Sequence, residues 1–165
     1  MPFSAAVLTV SDKAAAGQRE DTSGAAIHEM LGSIGIEVVR YDIVADEQDA
    51  VADRLRRWAD QRVAQLIVTT GGTGLGPRDV TPEATKVVLE YEVPGIAEAM
   101  RAEGLRHTPM SMISRAVAGV RNRVLIINLP GSPKGVRENL AVVLPVLQHA
   151  LELLADERSE HGPHP

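Results

Sequence analysis

The sequence predicts an α/β fold of three layers, a mostly parallel sheet with helices on both faces and room for a small antiparallel hairpin. Three observations predict it. Residues 5–10, Leu66–Thr70 and Val124–Leu129 are near-continuous apolar runs, as expected of central strands buried on both sides. Between them lie longer stretches whose apolar residues recur every three or four positions, the mark of a helix with one buried stripe. Hydrophobic residues make up 44% of the 165, enough for one domain with a real core, and with aromatics at 2% that core must be aliphatic.

In order, the first strand ends at Ser11-Asp12-Lys13, and a polar loop follows through Gly17 to Asp21. Asp21, Thr22 or Ser23 can cap a helix whose stripe is Ile27, Met30, Leu31 and Ile34, ended by Gly35. Residues 36–44 form a second strand whose alternation changes parity midway, which implies a bulge or an edge position. Asp46 starts a helix to about Gln61, with Val51, Leu55 and Trp58 inward and Arg54, Arg56, Arg57 and Asp60 mostly on a solvated face. After Leu66–Thr70 comes a glycine loop, then a helix capped by Thr81 with Pro82 at its first position, running to about Tyr91. Pro94-Gly95 breaks it. A helix over residues 96–105 turns Ile96, Met100 and Leu105 inward. Residues 114–120 and 123–129 read as a hairpin around Arg121-Asn122. Ser132-Pro133 starts the last helix, striped by Val136, Leu140, Val143, Leu144 and Leu147 and kinked at Pro145. The domain ends near residue 155, and the polar tail 156–165 is expected to be disordered.

Composition narrows the function. The net charge is -5, and four aromatic residues are too few for a base-stacking platform, so neither nucleic acid nor a membrane surface is an expected partner. There is no cysteine, which removes disulfides, thiolate catalysis and cysteine-ligated zinc. The N-terminal segment has neither a basic region nor an apolar run long enough to span a bilayer, so a cytoplasmic location is expected.

The parallel topology gathers the carboxyl ends of the strands on one edge, where open α/β sheets bind ligands. Ser11, Asp12 and Lys13 follow the first strand and Asp46 the second. Gly71, Gly72, Thr73 and Gly74, then Arg78 and Asp79, follow the third; Gly131, Ser132 and Lys134 follow the last. Glycine turns at helix N-termini let backbone N–H groups approach an anion. Gly76 is followed by Pro77 where a phosphate loop needs lysine, and Pro77 also stands where a dinucleotide loop needs its third glycine. Asp46 has two readings, a helix cap or a ligand. Asp79 beside a phosphate loop repels the ligand unless a divalent cation lies between, so Asp46 and Asp79 are candidate magnesium ligands. No histidine lies near these motifs, and there is no nucleophile elbow. Phosphoryl or nucleotidyl transfer fits, because the attacking phosphate is itself the nucleophile. His161 and His164 in the tail lack partner ligands for a metal.

These motifs resemble the MogA/MoaB family of molybdenum-cofactor biosynthesis proteins, which includes the G domain of gephyrin. The residues that carry the resemblance are Ser11-Asp12 with Gly17 and Asp21, Asp46-Glu47-Gln48, Thr70 to Gly74 with Arg78 to Ala84, and Leu129 to Lys134. The resemblance implies the molybdopterin-binding fold and a molybdopterin adenylyltransferase, an enzyme that uses ATP and Mg2+ to transfer AMP to the molybdopterin phosphate. It implies that Asp46 and Asp79 are essential acidic positions, that Gly71 to Gly74 hold the nucleotide, and that Ser132 and Lys134 meet pterin or phosphate. It also implies a homotrimer, less commonly a hexamer, and a molybdate insertase as partner. A non-catalytic molybdopterin-binding or scaffold protein is the alternative.

Overall fold

A computed structural model describes residues 2–156. Six strands form one sheet in the order β2-β1-β3-β6-β5-β4. These are β1 (Ser4–Val10), β2 (Glu37–Val44), β3 (Leu66–Thr70), β4 (Tyr91–Glu92), β5 (Ala118–Arg121) and β6 (Val124–Leu129). The β2-β1-β3-β6 set is parallel, while β5 and β4 add antiparallel at one edge. The α-helices are α1 (Asp12–Ala15), α2 (Thr22–Gly32), α3 (Gln48–Asp60), α4 (Thr81–Val88), α5 (Pro94–Gly104) and α6 (Pro133–Ala155).

Alternate residues of each central strand feed opposite cores, as a pleat demands. Ala5, Val7, Leu66, Val68, Leu125 and Ile127 pack under α2, α5 and α6. Ala6, Leu8, Ile67, Val124 and Ile126 pack under α3 and α4. This is the expected three-layer arrangement. The parity change in the second strand is a register shift opposite Ala5 and Ala6, and β2 is also an edge strand. The hairpin turns at Asn122 and Arg123, both at positive φ, which matches the right-handed twist of its strands. By length and composition α6 could cross a membrane; Val136, Leu140, Val143, Leu147 and Leu151 along it are buried in the core. The helix continues through Pro145.

Several local expectations need correction. Part of the loop after β1 is the short helix α1, capped by the Ser11 hydroxyl on Ala14 N–H. Asp46 does not start α3. Glu47 holds the cap position and the Asp46 carboxylate turns instead to Asp12. Thr81 does not cap α4; Val80 holds that position, and the Thr81 hydroxyl is buried on Gly71 O. The helix ends at Val88 because Glu90 and Val93 hydrogen-bond β5, which makes Tyr91–Glu92 a strand. Pro94 stands in the first turn of α5 and does not break a helix. Leu105 is 48% exposed, since α5 ends one residue before it. The run 114–120 enters the sheet only at Ala118, because Arg115 N–H bonds Thr73 O and Val117 N–H bonds the Asn128 side chain. The expected disordered tail, with His161 and His164, falls beyond residue 156 and so outside the described residues.

Candidate functional site

The chain leaves β1 toward β2 on one side and returns past β1 to β3 on the other, so the loops diverge between β1 and β3. That switch point is where α/β sheets leave a crevice. A cavity of about 550 Å3 opens there. Its walls include Ser11, Asp21, Ser23, Asp46, Gly71, Gly72, Asp79, Gly131 and Ser132. Residues following four different strands thus share one cavity.

The glycines are required sterically. Gly71 has φ +102°, and a Cβ there would lie 2.3 Å from the backbone oxygen of Val10. Gly72 has φ +70°, and its Cβ would lie 2.4 Å from the Thr81 hydroxyl. Gly71→Ala should therefore destabilise the protein by on the order of 3 kcal/mol, through backbone strain plus overpacking against a strand that cannot move. Urea unfolding measures this.

A buried polar chain ties the glycine turn to the sheet. Asn128 donates to the Thr69 and Thr85 hydroxyls at 2.9 and 3.1 Å, Thr85 donates to Thr81 O at 2.8 Å, and Thr81 donates to Gly71 O at 3.0 Å. On the other wall, Ser23 donates to Gly131 O at 2.6 Å and Ser132 caps α6 through Gly135 N–H at 3.0 Å. Each buried polar group thereby keeps a partner, which fixes the walls.

Arg115 organises the outer part of the glycine loop, and the sequence reading missed it. Its side chain donates to Gly74 O at 2.7 Å, to Asp79 O at 2.7 Å and to the Glu83 carboxylate at 2.5 and 3.0 Å. Its own N–H meets Thr73 O at 2.9 Å. The signal available was one arginine at the head of an apolar run. Also missed was a knot behind the cavity wall. The Asp21 carboxylate accepts from Thr9 Oγ at 2.6 Å, from the Tyr41 hydroxyl and from Gly24 N–H. Burial first, and then the Asp21 carboxylate, push the Tyr41 phenol up to about 12.

The carboxylates interlock. Asp12 N–H donates to Asp46 Oδ2 at 2.8 Å and Asp46 N–H donates to Asp12 Oδ1 at 3.0 Å. Arg78 grips Asp12 with two bonds of 2.9 and 3.0 Å, and this pairing holds the Asp12 carboxyl below the usual carboxylate range. Asp46 is pushed up, mainly by burial and further by the charges of Asp12 and Asp79. Asp79 Oδ2 accepts Gly76 N–H at 2.9 Å.

A carboxyl that is harder to ionise in the folded state costs stability as pH rises through its raised value; below the unfolded value the cost vanishes. Asp46→Asn should thus raise the thermal midpoint of the ligand-free protein at pH 7, and the gain should shrink as pH falls toward the ordinary carboxylate range. The amide oxygen can still accept Asp12 N–H. Scanning calorimetry across that range checks it. Asp12 has the opposite sign: its contribution is present above the ordinary carboxylate value and is lost as pH falls below it.

Asp12, Thr73, Gly74, Arg78 and Lys134 do not line the cavity. Asp12 and Arg78 pair beside it, Thr73 and Gly74 serve Arg115 through their carbonyls, and Lys134 is 82% exposed with its ammonium 3.9 Å from Glu138. Among the described residues no group of three or more His, Cys, Asp or Glu side chains is disposed to hold a metal. A magnesium ion needs only one or two carboxylates when substrate phosphates and water complete its shell. The charges of Asp12 and Asp79, which add to burial in raising Asp46, are what a cation beside it would offset, so the donor set fits such an ion.

Residues 6–149 match the family described as "Probable molybdopterin binding domain". The chain is 45% identical over 150 residues to a molybdopterin adenylyltransferase of Helicobacter pylori J99, covering 90% of this chain and 85% of that one. It is 44% identical to a gephyrin of Dictyostelium discoideum, 90% of this chain matching 22% of that longer protein. The crystal structure of the molybdopterin biosynthesis enzyme MoaB from Thermus thermophilus superposes with a TM-score of 0.87 at 57% identity, covering 92% of this chain and 96% of that one. Sequence and fold thus agree over nearly the whole described chain, and this chain belongs to the molybdopterin-binding domain family of molybdenum-cofactor biosynthesis proteins.

Proposed function

We propose that this protein is a molybdopterin adenylyltransferase, transferring AMP from ATP to the phosphate of molybdopterin and releasing pyrophosphate. A molybdopterin phosphate oxygen attacks the α-phosphorus; that P–O bond forms as the bond to the β-phosphate oxygen breaks, and pyrophosphate leaves with the electron pair. No side-chain nucleophile is required. The observation that carries the reading is that Asp46 and Asp79, from two strand ends, meet two glycine turns in one cavity. The turns offer backbone N–H groups to phosphate. Asp46 and Asp79 would hold Mg2+, which neutralises the charge that develops on the phosphates. The remaining work is positioning, done by the Thr81–Gly71 and Ser23–Gly131 ties and by Arg115. Ser11 and Ser132 offer hydroxyls at the wall. Arg78, with Asp12, would close the rim, and Lys134 would reach substrate only by swinging in.

The purified protein given molybdopterin, ATP and Mg2+ should release one pyrophosphate for each AMP transferred. Tight molybdopterin binding with no pyrophosphate release would support the alternative, a non-catalytic pterin-binding scaffold. The reading extends to a cytoplasmic homotrimer that hands its product to a molybdate insertase. An apolar groove lined by Val93, Ile96, Ala99, Val142 and Val146 supports self-association; light scattering would give the subunit number.

A further inference from the structure

The cavity has an unbalanced charge. Its walls carry the carboxylates of Glu20, Asp21, Asp46 and Asp79, yet both substrates of the proposed reaction are polyanions. The cations that the sequence offers are elsewhere engaged or turned away: Arg78 is bound to Asp12, Arg115 to Glu83 and the loop carbonyls, and Lys134 stands in solvent beside Glu138. Among the described residues, Arg19 is the only lysine or arginine that lines the cavity.

Its setting suits a ligand-facing role. Before it, Gly17 N–H bonds Ala14 O at 3.1 Å and Gln18 N–H bonds Lys13 O at 2.8 Å. After it, Asp21 is fixed by the Thr9 and Tyr41 hydroxyls and by Gly24 N–H. The backbone is thus anchored on both sides of Arg19, while its guanidinium has no hydrogen-bond or ion-pair partner among the described residues. A short, tethered loop that presents an uncommitted planar donor fork into an otherwise acidic cavity is matched to a phosphoryl group, which accepts two parallel N–H bonds.

We infer that Arg19 binds a phosphoryl group of a substrate and sets the affinity for it. The inference rests on the proposed reaction for the identity of the substrates, and the phosphoryl group can belong to ATP or to molybdopterin. Calorimetric titration of wild type and Arg19→Gln with ATP–Mg2+, with molybdopterin and with inorganic pyrophosphate separates these. One of the two substrates should bind about tenfold more weakly to the variant, with a shallower salt dependence, while the other changes little. Arg19→Lys should recover part of the loss. Turnover at saturating substrate should fall far less than affinity, so the effect appears in KM. Lys86→Gln, the same charge change on an exposed residue of α4, should leave both affinities in place. Unchanged binding of both substrates to Arg19→Gln would overturn the inference even if wild type turns over. Weaker substrate binding by Arg19→Gln, together with a wild type that never releases pyrophosphate, would uphold Arg19 and sink the transferase reading instead.

Discussion

Asp79→Asn should yield a folded protein that still binds molybdopterin and has lost at least about 100-fold of its turnover, the scale found when one preorganised electrostatic partner of a reacting group is removed. The expectation follows from how little else the substitution changes. Asp79 Oδ2 accepts Gly76 N–H at 2.9 Å, and an amide oxygen can keep that bond. The backbone oxygen of Asp79 stays on Arg115. What disappears is one negative charge at the wall of the cavity, and with it half of the proposed magnesium site. Single-turnover pyrophosphate release, with the thermal midpoint as control for folding, measures the effect. Turnover within about tenfold of wild type, less than one lost preorganised partner should cost, would remove Asp79 from the catalytic machinery. Asp46→Asn should lose turnover on the same scale while gaining thermal stability, because removal of a buried charge and loss of the charge proposed to hold the metal are the same event. Such opposition of stability and activity is common where a site gathers like charges.

The second large effect is expected at Arg115. Arg115→Ala removes the side-chain bonds to Gly74 O, Asp79 O and Glu83 together. Gly74 and Asp79 lie at opposite ends of one loop, so the arginine sets the distance across it. Without that fork the Asp79 carboxylate loses its fixed position, and misplacement by an ångström is enough to lower turnover about 100-fold. Stability should fall by roughly 1–3 kcal/mol, since two carbonyls and a half-buried carboxylate lose a charged donor. Arg115→Lys should rescue little, because an ammonium cannot reproduce the planar fork. The decisive readout is the split between constants: kcat should fall much more than molybdopterin affinity, if the pterin is held by Ser23, Gly131 and Ser132 on the other wall. Equal losses in both would make Arg115 a general stabilising residue.

The strands were legible because burial on both faces leaves a local mark. Leu66–Thr70 and Val124–Leu129 were expected at the bounds they have, and the Asn122 turn was placed to within a residue. Caps were legible where the side chain serves its own helix, as Ser132 and Asp21 do. They misled at Asp46 and Thr81, whose side chains serve distant partners, Asp12 and Gly71. A cap and a tertiary hydrogen bond call for the same residue types, so composition alone does not separate them. Leu105 misled for a related reason: helical spacing assigns a face, but the helix stopped short of it.

What the sequence determined by itself was the α/β class, the set of strand ends that bear glycines and carboxylates, and the family. Each of these is written in short stretches of neighbouring residues. Only the tertiary structure decided which charges face the cavity. It paired Arg78 with Asp12, turned Lys134 to solvent, assigned Arg115 to the loop carbonyls and left Arg19 at the wall without a partner among the described residues. The physical reason is that charge pairing acts across residues far apart in the chain, 66 positions for Arg78 and Asp12 and 32 for Arg115 and Glu83. A side chain's chemistry is local, but its partner is chosen by the fold.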